Sequence, residues 1–279
     1  MSYPDLNDRS FERIRAMLYE SVGITLSPAK KALVTGRLAR RLRAHALAGF
    51  ESYVSLVEKD GGEFQTMVDL LTTNETSFFR EPKHFDFLRE TILSSHSRGR
   101  PFRVWSAASS TGEEPYSIAM TLAANMGDRA PWEIVATDIS TRVLEHARRG
   151  VYAEDALARI PSDYLRAYCL KGVRSQSGAL LMDRSVRDKV DFRMLNLNGQ
   201  WPDMGLFQVI FLRNVMIYFD AQTKQKLVNR MADRLVPGGY LFIGHSETLN
   251  GLSERFESVR PAIYRLKAAG ARRESSLAA

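Results

Sequence analysis

Phe102-Arg103-Val104-Trp105-Ser106-Ala107-Ala108-Ser109-Ser110-Thr111-Gly112-Glu113-Glu114 runs from an apolar strand pattern, through small side chains, to the acidic start of a helix. A short apolar run followed by small residues and a helical period predicts a strand, loop, helix unit. The signal recurs downstream. Trp132 to Thr137 and Phe207 to Leu212 read as strands, with helices after Gly112 and from Ser140 to Arg149. Such alternation predicts an α/β fold with a mostly parallel sheet. Toward the end, Asp220 to Leu235 reads as a helix and Pro237-Gly238-Gly239 as a turn. Tyr240 to Gly244 and Ser258 to Leu266 read as strands, which predicts an antiparallel pair at the sheet edge.

Upstream the period changes. From Asp8 to about Leu71 apolar residues recur at helical spacing, at Phe11, Ile14, Leu18 and Val22, at Val34, Leu38 and Leu42, and at Phe64, Val68 and Leu71. The predicted organisation is an all-α domain over 1–72, a linker over 73–100 and an α/β domain over 101–267. Between about 151 and 204 the rhythm breaks. Turn residues at Ser175 to Gly178, between alternating stretches at Ala179 to Met182 and Lys189 to Met194, predict a small antiparallel β insertion. Residues 268–279 are small, charged and aperiodic, and predict a disordered tail.

Composition narrows the classes. With 44% hydrophobic and 25% charged residues in 279, the chain can bury a full core, which excludes disordered and collagen-like chains. A single cysteine, Cys169, excludes an internal disulfide, and no Cys/His cluster has zinc-ligand spacing, so no metal is expected. No apolar run approaches the roughly 20 residues of a membrane helix, and Met1 to Ser10 lacks signal-peptide character. A soluble, cytoplasmic, monomeric protein is expected. The formal charge of +7 favours acidic partners without choosing among nucleic acid, anionic lipid and protein.

The loop after the first strand carries the first chemical signal. It is neither G-x-G-x-x-G nor a P-loop, and two adjacent glutamates at a helix start disfavour a pyrophosphate. A ligand offering a cation or hydrogen-bond donors fits better. Asp138, at the end of the second strand, suits the two hydroxyls of a ribose, although on its own it is equally a helix N-cap. A nucleoside with a positively charged tail satisfies both positions, and S-adenosylmethionine has that form.

Longer motifs then fall in order along the chain: Asn74-Glu75-Thr76-Ser77-Phe78-Phe79-Arg80 with His84-Phe85, Trp105-Ser106-Ala107-Ala108, Ser110 through Ser117, Ala136-Thr137-Asp138-Ile139-Ser140, Asn196-Leu197, and Arg213-Asn214-Val215-Met216-Ile217-Tyr218-Phe219. Over nearly its whole length the chain resembles the chemotaxis receptor glutamate O-methyltransferases of the CheR family. Ser109 stands where many relatives carry cysteine. The resemblance implies a Rossmann-like class I S-adenosylmethionine-dependent methyltransferase domain behind a small helical domain. It also implies methyl transfer to receptor glutamates, with γ-glutamyl methyl ester and S-adenosylhomocysteine as products. Carried over by motif, Asn74, Thr76 and Arg80 belong to the cofactor site, Glu113 takes the α-ammonium and Asp138 the ribose. Asn196 and Leu197 border the adenine, Arg213 and Asn214 line the far side, and Arg80 and Tyr218 stand at the transfer point.

The charge then acquires a location. Ser21 to Phe50 holds six Lys or Arg and no acid, and Lys30, Arg37, Arg40 and Arg41 share a helix face. That face is expected to dock the acidic methylation helices of chemoreceptors, and the β insertion resembles the element that grips a receptor tail peptide in some relatives. A nucleic-acid methyltransferase is disfavoured, because Arg213-Asn214-Val215-Met216 replaces the Asn/Asp-Pro-Pro-aromatic motif common in base methylation. A non-catalytic binding module is disfavoured because Arg80, Glu113 and Asp138 are all present.

Overall fold

In the computed structural model, residues 5–268 apart from 98 and 128 are described; the predicted tail lies outside them except for residue 268. Four helices form the first unit: α1 (Asp8–Val22), α2 (Lys31–Ala44), α3 (Phe50–Val57) and α4 (Gly61–Leu71). Their local signals are plain. Asn7 accepts from the Ser10 N–H at 2.8 Å to cap α1, Gly23 ends it in the left-handed region, and Asp60 caps α4 through Gly62 and Glu63. The predicted stripes close a core of Phe11, Ile14, Leu18, Val34, Leu38, Leu42 and Val68, joined by Tyr53, whereas Phe64 is only half-buried.

The segment expected as a linker is more than a connection. It carries α5 (Lys83–Phe87), which runs into a π-helical turn at Leu88–Leu93, and Phe85, Leu88 and Ile92 bury in the core of the sheet. Then come β1 (Phe102–Ser106), α6 (Glu113–Met126), β2 (Trp132–Asp138) and α7 (Thr141–Arg149), close to their predicted bounds. A small antiparallel sheet follows, built from β3 (Val151–Ala153), β4 (Cys169–Lys171) and β5 (Ala179–Met182) in the order β3-β5-β4, with α8 (Ser162–Tyr168) beside it. After α9 (Arg184–Arg187) the chain returns to the main sheet through β6 (Val190–Met194), β7 (Phe207–Leu212), α10 (Ala221–Ala232), β8 (Leu235–Ile243), β9 (Phe256–Arg260) and β10 (Ile263–Leu266).

The main sheet has the order β6-β2-β1-β7-β8-β10-β9; β6 to β8 run parallel, and β10 and β9 are antiparallel at the edge. Alternation along the central strands divides two cores. Val104, Ile134, Ala136, Val209 and Phe211 face one, with α6 and α7, while Trp105, Val135, Ile210 and Leu212 face the other, with Leu227, Val228 and Met231 of α10. Burial on both faces explains why these strands read as near-continuous apolar runs.

Three expectations need correction. Val190 to Met194, assigned to the insertion, pairs in parallel with β2 as the edge of the main sheet, so the small antiparallel sheet ends at Met182. Pro237-Gly238-Gly239 lies inside β8: Phe207 pairs with Leu235 but Val209 with Tyr240, so the intervening residues bulge out, where Pro237 owes the ladder no N–H and Gly238 takes φ +75°. Ser258 to Leu266 is two strands, reversed at Pro261-Ala262. Among the described residues no helix is long and apolar enough to cross a membrane.

Candidate active site

Strand order reverses between β1 and β7, and a cavity opens at the carboxyl ends of these strands, as parallel sheets of this kind favour. The sheet supplies Ala107, Ala108 and Ser110 after β1, Asp138 at the end of β2, Leu195 to Leu197 after β6, and Arg213 and Asn214 after β7. Asn74, Thr76 and Arg80 also line it, as do Tyr218 and Phe219. One part of the lining was not anticipated. Ile24, Leu26 and Leu33 of the helical domain form an apolar wall, and Lys30 stands there with its Nζ 6.0 Å from the Tyr218 ring centroid.

The helical domain is fastened at this wall. Thr25 N–H donates to the Tyr218 carbonyl at 2.9 Å, the Asn196 amide to the Ser21 carbonyl at 2.6 Å, and Tyr19 Oη to Asp220 at 2.6 Å. On the opposite flank Asp69 accepts from Thr141 N–H and Oγ1, at 3.0 and 2.7 Å. A cavity between the two domains is therefore shaped by both.

Asp138 is buried, and its carboxylate accepts from Ser140 N–H and Ser110 N–H, each at 2.9 Å. Burial raises its carboxyl above the ordinary range, and these two N–H groups oppose that shift. A carboxylate offers about four acceptor positions, so about two remain for a ligand. Capping and ligand binding are thus compatible here. Ser110 itself sits at φ 49°, a left-handed conformation that costs a non-glycine residue energy, and the Asp138 bond holds it there. Gly112 follows at φ +100°, and a Cβ there would meet Tyr152 Oη at 2.7 Å and Ala147 Cβ at 2.8 Å, so only glycine fits the loop.

Adjacent glutamates point apart on a helix, and the structure separates them. Glu113, expected at the α-ammonium, does not line the cavity; its carboxylate accepts from Thr111 Oγ1 at 2.7 Å. Glu114 lines it instead, accepting from Ser106 Oγ at 2.7 Å and Arg213 at 2.9 Å. Roughly 100° of helical phase separates neighbours, which the residue type does not reveal. Burial pushes both carboxyls up, against Thr111 for Glu113 and against Arg213 for Glu114.

Arg213 anchors the rest. Its side chain is 2% exposed; it pairs with Glu81 at 3.0 Å as well as Glu114, and donates to the Arg80 carbonyl. Burial works to raise the Glu81 carboxyl, but Arg213 and the His245 N–H outweigh it and leave it below the usual range. Asn214 sits at φ 55°, with its N–H on Glu247 at 2.9 Å. Arg80 donates to the Glu75 carbonyl at 2.8 Å. Glu81 and Glu247 were missed by sequence reasoning, because an acid that positions another group has no spacing of its own.

Two of the four residues of the expected docking face have partners inside the helical domain. Arg37 donates to the carbonyls of Leu70, Leu71 and Thr72, each at 3.1 Å, and so caps the C-terminus of α4. Arg41 forms a bidentate pair with the buried Glu63, at 2.8 and 2.5 Å, and Tyr53 Oη and His45 Nε2 complete the cluster at 2.8 and 2.9 Å. These two arginines serve the helical domain itself, whereas Lys30 and Arg40 are exposed. Arg41→Met is therefore expected to lower stability by about 1–3 kcal/mol, since it leaves Glu63 buried without its main partner. Thermal melting checks this, and an unchanged melting temperature would remove the structural role.

Residues 9–72 match the family described as "CheR methyltransferase, all-alpha domain", and residues 74–264 match "CheR methyltransferase, SAM binding domain". The chain belongs to the CheR methyltransferase family. It is 43% identical over 268 residues to the chemotaxis protein methyltransferase of Escherichia coli K12, covering 94% of this chain and 92% of that protein. It is also 43% identical over 256 residues to chemotaxis protein methyltransferase 2 of Pseudomonas aeruginosa, covering 91% of each. The matched SAM binding domain, residues 74–264, supplies most of the cavity's lining, and the fold is that of an S-adenosylmethionine-dependent methyltransferase. Nine of the ten residues expected around the cofactor and transfer point line it: Asn74, Thr76, Arg80, Asp138, Asn196, Leu197, Arg213, Asn214 and Tyr218. Glu113 is the exception.

Proposed function

We propose that the protein transfers the methyl group of S-adenosylmethionine to glutamate side chains of chemoreceptors, forming γ-glutamyl methyl esters and S-adenosylhomocysteine. The observation that carries this reading is the two-domain cavity, which brings Asp138, Arg80 and Tyr218 into one lining, with the exposed Lys30 beside Tyr218. Asp138 takes the ribose hydroxyls, and Asn196 and Leu197 flank the adenine. The acidic start of α6 faces the α-ammonium, Glu114 from the wall and Glu113 after rotation of its side chain.

A glutamate ionises with a pKa near about 4.3, so the nucleophile is charged at neutral pH and needs no general base. Its oxygen attacks the methyl carbon in line with the C–S bond. The O–CH3 bond forms as the C–S bond breaks, and the electron pair leaves on sulfur as a neutral thioether. Both starting charges vanish, so alignment and exclusion of water supply most of the acceleration. Arg80 and Tyr218 position groups at the transfer point and exchange no proton.

Lys30 and Arg40 supply the docking charge for the acidic receptor helix. A receptor tail peptide finds its place on the three-stranded sheet, where Leu170 on the edge strand β4 and the nearby Val173 are 52% and 70% exposed. Through its receptors the enzyme works at the cytoplasmic face of membrane arrays. Incubation with labelled S-adenosylmethionine and receptor-containing membranes, or with RNA, tests the reading. Label on receptor that mild base releases as methanol is expected, with KM for receptor raised in Arg40→Glu. Base-stable label, or label on RNA, would overturn it.

A further inference from the structure

Sequence spacing gave no metal site, yet the fold brings Glu81, His84 and His245 together from two distant segments, with one potential ligand atom from each lying within 4.8 Å of the others. Glu81 lies just before α5 and accepts the His84 N–H on its carbonyl at 3.0 Å, and His245 follows β8. His84 Nδ1 lies 3.4 Å and His245 Nε2 3.8 Å from Glu81 Oε2. Zinc bonds of about 2.0–2.1 Å in a tetrahedron place neighbouring ligand atoms roughly 3.4 Å apart. The site needs little adjustment to close.

A second observation is independent of that spacing. The His84 side chain is 1% exposed, and among the described residues neither of its ring nitrogens has a hydrogen-bond partner. Buried polar groups are nearly always satisfied, so an imidazole with neither nitrogen hydrogen-bonded, and Nδ1 only facing a carboxylate at 3.4 Å, points to a missing partner. His245 is half-exposed and gives that partner a way in. Phe242 packs edge-on against His84 and fixes its ring, while Arg213 fixes the Glu81 carboxylate. The local charge permits a cation, because Glu81 and Glu114 together outnumber Arg213.

We propose that Glu81, His84 and His245 bind one divalent transition-metal ion of the zinc class, with a fourth position open toward solvent. Two imidazoles and one carboxylate select such an ion over magnesium or calcium, which prefer all-oxygen shells. None of the three ligands lines the cofactor cavity. The ion sits behind it, joined to it through Arg213, which also holds Glu114 and the Arg80 carbonyl.

The test is titration of the full chain, without a histidine tag and dialysed against chelator, with cobalt(II) and then zinc. One equivalent of cobalt should give visible d–d bands of a four-coordinate N,O site, which zinc abolishes. His245→Ala should weaken cobalt binding more than tenfold, and His245→Cys, which restores a ligating atom, should recover it; melting curves establish that both variants fold. Absence of the bands, or equal stoichiometry and affinity in wild type and His245→Ala, overturns the proposal. So does a crystal structure grown with zinc that shows only water between His84 and Glu81.

Discussion

Asp138→Asn is expected to weaken S-adenosylmethionine binding by about one to two orders of magnitude while leaving the fold intact. Hydrogen bonds to a charged acceptor contribute about 1.5–3 kcal/mol, and about 1.4 kcal/mol is a decade in affinity. Asparagine keeps the shape but has a single acceptor oxygen. The wild-type carboxylate already receives Ser110 N–H and Ser140 N–H, so the amide must give up either one of these or a ribose hydroxyl. Losing the Ser110 bond also releases a loop residue held at φ 49°. Burial raises the Asp138 carboxyl, so wild-type affinity should rise with pH as this group ionises, a dependence that the variant should lack. Calorimetric titration with S-adenosylmethionine or S-adenosylhomocysteine reads both effects. A dissociation constant within about threefold of wild type would mean that Asp138 is only a loop fastener.

That pair of roles shows what periodicity can and cannot convey. Strands β1, β2 and β7 were legible because both of their faces are buried, which leaves uninterrupted apolar runs of the right length. Strand β6 was not. Its buried Val190 and Phe192 alternate with exposed Asp191 and Arg193, and alternation reports a half-buried strand without saying which sheet it joins. The cavity-lining residues were legible where a motif carried them, and Asp138 also from its place at a strand end. The wall of Ile24, Leu26 and Leu33 was hidden because an apolar residue in a helical domain reads as core. The internal partners of Arg37 and Arg41 were hidden too, since a basic helix face looks the same whether it meets solvent, a partner or the carbonyl end of the next helix.

Arg213 is where the largest loss of stability is expected. Its guanidinium holds three acceptors from separate segments: Glu81 and the Arg80 carbonyl before α5, and Glu114 in the first turn of α6. Arg213→Met fills similar space but leaves the Glu81 and Glu114 carboxylates, 12% and 11% exposed, without their cation, and breaking such a cluster by removing one partner costs about 3–5 kcal/mol. At about 2–4 °C per kcal/mol for a chain of a couple of hundred residues, the melting temperature should fall by about 10 °C. Arg213→Lys should recover only part of this, because a point charge cannot span the three acceptors that the fork reaches. The pH dependence separates this account from simple loss of packing. In chelator-treated wild type the folded Glu81 carboxyl lies below its ordinary value, so its contribution is present above the unfolded pKa and lost as pH falls through the folded one. In Arg213→Met, Glu81 loses the cation that holds its pKa down, and Glu114, already raised by burial in the wild type, rises further. Their penalty is therefore full at neutral pH and relieved as pH falls through those raised values. The gap in melting temperature between variant and wild type should narrow from about pH 7.5 to about pH 5. A gap that stays constant over that range would assign the loss to packing and remove Arg213 as the electrostatic centre of the site.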